Sequence, residues 1–139
     1  IYSTCAYTEH MKTIKVALIE DDAAIVQMYA MALKLKTDFE VKVANDGAEG
    51  LELIKSFDPD IILLDMMMPH MSGVEALTRL RKLPHGDKYK VIALTNMKDA
   101  DTVAKIKQLQ VSDYLVKAEQ SPSTLIKRIQ DIVSTTAAH

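Results

Sequence analysis

Short apolar runs alternate along this chain with longer segments whose apolar residues recur every three or four positions, and that alternation constrains the fold more than any other feature. Five runs have strand length: Lys15–Ile19, Glu40–Ala44, Ile61–Leu64, Lys90–Leu94 and Asp113–Val116. Segments at about 22–35, 47–56, 72–83, 99–109 and 122–134 carry helical spacing. Ile25, Tyr29, Ala32 and Leu33 fall on one stripe, and Leu125, Ile129, Ile132 and Val133 on another, so both faces are expected in the core. Pro59 and Pro69 bracket the third run, and Gly73 permits a close turn just beyond it. A strand followed by a helix long enough to cross back over the sheet gives parallel pairing. The expected fold is therefore α/β: a doubly wound, five-stranded parallel sheet with helices on both faces, for which 2-1-3-4-5 is a common order. In that order the C-terminal ends of the first and third strands flank a ligand site where the winding reverses.

The chain has 139 residues, 48% hydrophobic and 26% charged, which suits one domain with a single buried core. A formal net charge of −2, with basic residues scattered among acidic ones, provides no footprint for direct nucleic-acid binding. Cys5 is the one cysteine, so no internal disulfide can form and a reducing, cytoplasmic setting is expected. No apolar run reaches the length of a membrane span, and the first residues lack signal-peptide order. Ile1 to His10 shows no periodicity and Met11 follows it. Residues 1–11 are accordingly expected to be a vector-derived leader or a disordered tail, residues 12–135 the domain and 136–139 a C-terminal tail.

The first and third strands both run directly into carboxylates, Glu20-Asp21-Asp22 and Asp65 respectively. At least three negative groups then converge at the winding reversal, and they repel unless a cation or protons intervene. A hard divalent ion with oxygen ligands meets that need, and magnesium takes one or two carboxylates plus waters and phosphate oxygens. Asp21 and Asp65 are assigned as direct ligands, Glu20 as acting through a bound water, and Asp22 as the cap of the first helix. Either acidic group alone reads equally well as a helix cap; their joint placement favours a site. The fourth strand ends in Thr95 and the fifth in Lys117, bringing a hydroxyl and an ammonium to the same edge. Singly these are a turn residue and a solvated cation. Together the four strand ends suit phosphoryl transfer, which depends on positioning and on neutralising charge on the transferred group. Asp65 can attack as a carboxylate to form an acyl phosphate, Lys117 supplies a point charge, and the Thr95 hydroxyl binds a phosphoryl oxygen. An ionised carboxylate needs no general base.

Asp65-Met66-Met67-Met68-Pro69 with Gly73 resembles the motif of the response regulator receiver domains: Asp, two variable residues, Met-Pro, three more, then Gly. Val16-Ala17-Leu18-Ile19-Glu20-Asp21-Asp22, Ala93-Leu94-Thr95 and Asp113-Tyr114-Leu115-Val116-Lys117 stand in that family's order and spacing, and the resemblance runs from Lys15 to about Val133. It implies the flavodoxin-like order 2-1-3-4-5, phosphorylation at Asp65, and an acidic pair of Glu20 and Asp21. It also implies Mg2+ held with help from the main-chain carbonyl of Met67. The implied phosphoryl donor is a phosphohistidine on a sensor histidine kinase or a histidine phosphotransfer protein. Thr95 and Tyr114 are the implied switch residues. The fourth helix, fifth strand and fifth helix would carry the change to an output domain or downstream protein, or form a homodimer. Such a domain is a phosphoacceptor that assists its own chemistry, not an enzyme with a separate substrate. Two positions depart from the pattern: Ala118 stands where the family has Pro, and Asn96 where it favours a small residue.

Met66, Met67 and Met68 are soft side chains that a magnesium site would not choose, so they read as packing and loop residues. His70 and His85 have no partner at metal-ligand spacing. Three other functions compete. One is a receiver-like interaction module that is never phosphorylated. Another is a magnesium-dependent aspartyl-phosphate hydrolase, disfavoured because its acid/base Asp is replaced by Met67. The third is a flavin-binding protein, disfavoured by the acidic loop after the first strand.

Overall fold

A computed structural model describes residues 13–36, 38–96, 100–117 and 121–137. Five strands, β1 (Ile14–Ile19), β2 (Phe39–Ala44), β3 (Ile61–Asp65), β4 (Lys90–Thr95) and β5 (Asp113–Val116), pair in parallel in the order β2-β1-β3-β4-β5. Helices α1 (Ala23–Lys34), α2 (Gly47–Phe57), α3 (Gly73–Lys82), α4 (Ala100–Gln108) and α5 (Pro122–Ala137) alternate with them, and a short 3-10 turn, Gly86–Lys88, precedes β4. The expected doubly wound sheet and its order are therefore observed. Element ends differ from the expected ones by up to three residues, the largest difference being the extension of α5 to Ala137. Cys5, the expected leader over residues 1–11 and Ala118 lie outside the described residues.

The period-two rule of a strand divides the core in two. Val16, Leu18, Ile61, Leu63, Ile92 and Leu94 face α1 and α5, which contribute Tyr29, Leu33, Leu125 and Ile129. Their neighbours Ala17, Ile19, Ile62, Leu64, Val91 and Ala93 face the other layer, with Ile54 and Phe57 of α2, Leu77 and Leu80 of α3, and Ile106 of α4. Both predicted stripes thus lie against the sheet. Among the described residues no helix is long and apolar enough to cross a membrane.

Local chemistry fixes where the helices start. Asp22 caps α1 as expected, its Oδ1 accepting from the amides of Ala24 (2.9 Å) and Ile25 (3.3 Å). Asp46 and Ser72 cap α2 and α3 in the same way through the amides of Glu49 and Glu75. Gly73 has a stricter reason than turn formation. A Cβ built there would lie 2.3 Å from the Asp65 carbonyl oxygen and 2.6 Å from the Met66 Cα, so α3 can abut the end of β3 only without a side chain.

Candidate acid–lysine site at the strand ends

Parallel register brings the polar residues together. Ile19 pairs with Leu64, so Glu20 and Asp65 leave the sheet side by side. Asp65 sits opposite Leu94 and Thr95 opposite Val116, which places Thr95 and Lys117 at the same edge. Glu20, Asp65 and Thr95 are all buried, whereas Asp21 is exposed. One carboxylate oxygen from each of Glu20, Asp21 and Asp65 lies within 4.8 Å of the others. An all-oxygen, three-carboxylate set open to solvent on the Asp21 side fits a hard, partly hydrated divalent cation.

Lys117 bridges Glu20 and Asp65 with 6% of its side chain exposed. Its Nζ donates to Glu20 Oε1 at 2.7 Å and stands 3.1 Å from Asp65 Oδ1. Asp65 Oδ1 also accepts from the Met67 amide at 3.0 Å, and Glu20 Oε2 accepts from the Asp22 amide at 3.2 Å. Two buried carboxylates against one ammonium leave an excess negative charge, and a proton resolves it. Burial, helped by a hydrogen bond to Asp65, pushes the Glu20 pKa up to about 7 in spite of Lys117. Burial would raise Asp65 too, but the hydrogen bonds from Glu20, the Met67 amide and Lys117 outweigh it and hold Asp65 below the ordinary carboxylate value. Burial works against the Lys117 charge, yet its bonds to Glu20 and Asp65 lift its pKa above that of a free lysine. Below about pH 7 the pair therefore shares one proton, drawn toward Glu20, and Asp65 is the anion beside Lys117.

Tyr114 is half-buried against the α2–α4 layer. Met66 and Met68 are buried packing residues, while the Met67 side chain is 55% exposed and its amide is bonded to Asp65. His70, His85 and Asn96 are exposed, the two histidines at positive φ. Sequence reasoning foresaw the convergence but missed the direct Glu20–Lys117 pair, because no local pattern relates residues on β1 and β5. It placed Tyr29 in the core, where burial raises its hydroxyl pKa while Lys117 and Glu20 act on it in opposite senses.

Fold and site together define a doubly wound α/β protein with a buried acid–lysine cluster at the C-terminal strand ends. Residues 16–130 match the sequence model of the response regulator receiver domain, and the chain belongs to that family of two-component signalling domains. It is 36% identical over 130 residues to the cell cycle response regulator CtrA of Brucella ovis, covering 91% of this chain and 53% of that protein. It is also 36% identical over 107 residues to the probable C4-dicarboxylate response regulator DctR of Priestia megaterium, covering 76% and 46%. The chain thus spans about half the length of these curated relatives. Chemotaxis protein CheY4 of Vibrio cholerae superposes with a TM-score of 0.79 at 28% identity, covering 86% of this chain and 98% of that one. A CheY-like receiver domain protein of Methanospirillum hungatei reaches 0.83 at 24% identity over 91% and 98%, a likeness of fold.

Proposed function

We propose that Asp65 accepts a phosphoryl group from a phosphohistidine on a sensor histidine kinase or histidine phosphotransfer protein. The observation carrying this reading is the buried Asp65 carboxylate, held ionised by Lys117 and the Met67 amide beside the acid cluster. An Asp65 oxygen attacks phosphorus, the P–N bond to the donor imidazole breaks, and its electron pair stays on that nitrogen. Lys117 neutralises charge on the transferred group, and the Thr95 hydroxyl bonds one of its oxygens. Asp21, Asp65, the Met67 carbonyl and Glu20, the last through water, would hold Mg2+, which supplies further charge neutralisation on the phosphoryl oxygens. With that charge in place Glu20 would release its proton to solvent water. Phosphorylation draws Thr95 inward and Tyr114 with it, altering the face made by α4, β5 and α5. That face engages an output domain, a downstream protein or a second copy. The domain occupies residues 12–135 and works in the cytoplasm.

The test is intact-mass measurement after incubation with magnesium and acetyl phosphate or a phosphorylated kinase. One phosphoryl group is added to the native protein and none to Asp65→Asn. An unchanged mass with every donor overturns the reading and leaves an interaction module.

A further inference from the structure

Arg81, in the last turn of α3, has a set of partners that the phosphoacceptor chemistry does not use. Its guanidinium makes four hydrogen bonds, all to main-chain carbonyls: Nη1 to Gly86 (3.0 Å) and Tyr89 (2.8 Å), Nε to Leu109 (3.0 Å) and Nη2 to Gln110 (2.9 Å). The first pair lies on the approach to β4, the second at the C-terminal end of α4 leading into β5. A cation near a helix C-terminus interacts favourably with the helix dipole. Leu109 and Gln110 stand just past α4, so Arg81 ties the turn at the exit of α4 to a different helix, α3. The planar fork suits this, since one side chain can satisfy several fixed acceptors at once. Gln110 adopts the left-handed region at φ 60, and the bond to its carbonyl helps hold that turn.

Burial along the described side chains of α4 is uneven. Among its described side chains only Ile106, near the C-terminal end, is fully buried; Asp101, Ala104, Lys105, Lys107 and Gln108 are exposed and Val103 is half-buried. Leu109, just beyond the helix, packs against the same core as Ile106. Among the described residues, the fully buried α4 side chain, Ile106, stands near the C-terminal end with Leu109 and the Arg81 fork. The other end follows β4 and so begins on the Thr95 side of the sheet.

We propose that Arg81 is the fixed end of a hinge: it pins the C-terminal end of α4 to α3 and the start of β4, so that rearrangement at the Thr95 edge is taken up at the N-terminal end of α4. The fork converts a change at the phosphoacceptor edge into a pivot of the helix instead of a displacement of it as a whole. The pivoting half of this inference rests on Thr95 being the switching element, as proposed above; the pinning half does not.

Amide hydrogen exchange on the full chain, read with and without magnesium and acetyl phosphate, separates the two halves. In the native protein the donor changes exchange over residues 101–104 and leaves 106–110 unaltered. In Arg81→Met, exchange over 106–110 rises about tenfold or more without donor, as expected when charge-assisted bonds at a helix end are lost, and it becomes donor-responsive. Arg81→Lys keeps the charge and the aliphatic stem but not the fork, shows the same change to a smaller degree, and serves if the methionine variant does not fold. Native-like protection of 106–110 in both variants overturns the pinning. Equal donor responses over 101–104 and 106–110 in the native protein overturn the hinge, as does no response in a protein whose mass shows the added phosphoryl group. No response with no added mass also removes the hinge, and assigns its failure to the phosphoacceptor reading.

Discussion

Raising the pH should destabilise the metal-free protein, and the effect should trace to Glu20. In the folded chain burial and the Asp65 hydrogen bond lift this carboxyl from the ordinary value of 4.5 to about 7. Between those values the folded state holds a proton that the unfolded chain has lost. The associated stabilisation is complete below about pH 4.5 and disappears as pH rises through about 7. Its slope is about 1.4 kcal/mol per pH unit, so about 3 kcal/mol is lost across the window. Asp65 and Lys117 titrate outside this window. Asp65, whose pKa is lowered, stabilises above 3.8 and loses that contribution only as pH falls further. Lys117, whose pKa is raised, stabilises below 10.5 and loses its contribution only above that value. Urea unfolding in chelator-treated buffer from pH 5 to 8.5 measures the slope. Glu20→Gln, neutral at every pH and able to donate to Asp65, should match the native protein near pH 5 and exceed it by about 2–3 kcal/mol at pH 8.5. A native stability that is flat or rising over this range, or a glutamine variant with the native slope, would refute the shared-proton account.

Gly73→Ala should lower stability by about 2–3 kcal/mol in the same assay, because the new methyl meets main-chain atoms of Asp65 and Met66 that cannot turn aside. It should also slow phosphoryl uptake by displacing the end of β3. Lys117→Met removes the cation that bonds both Glu20 and Asp65; uptake from acetyl phosphate should fall about a hundredfold or more, measured by mass against time. Gln110→Gly relieves a left-handed conformation at φ 60 and should stabilise by about 0.5–1 kcal/mol, seen as a higher urea midpoint.

The sequence by itself determined the five strands, the alternating helices and the strand-end residues, because apolar periodicity and the Asp22 cap are local properties carried within a few positions. It also determined that Glu20, Asp65, Thr95 and Lys117 would share an edge, since each ends its own apolar run and parallel strands end together. Tertiary structure alone decided how those groups divide the charge. Glu20 and Lys117 meet at 2.7 Å across 97 positions, and a pKa responds to burial and to neighbours in space. Hence Asp21, next to Glu20 in sequence, is exposed, while Glu20 is buried and has its pKa raised. Arg81 was legible only as a basic residue late in a helix; its four carbonyl partners come from two other segments that only folding brings together. Gly73 stands between these cases, since sequence called for a turn there but only the packing of α3 on β3 shows why no side chain fits.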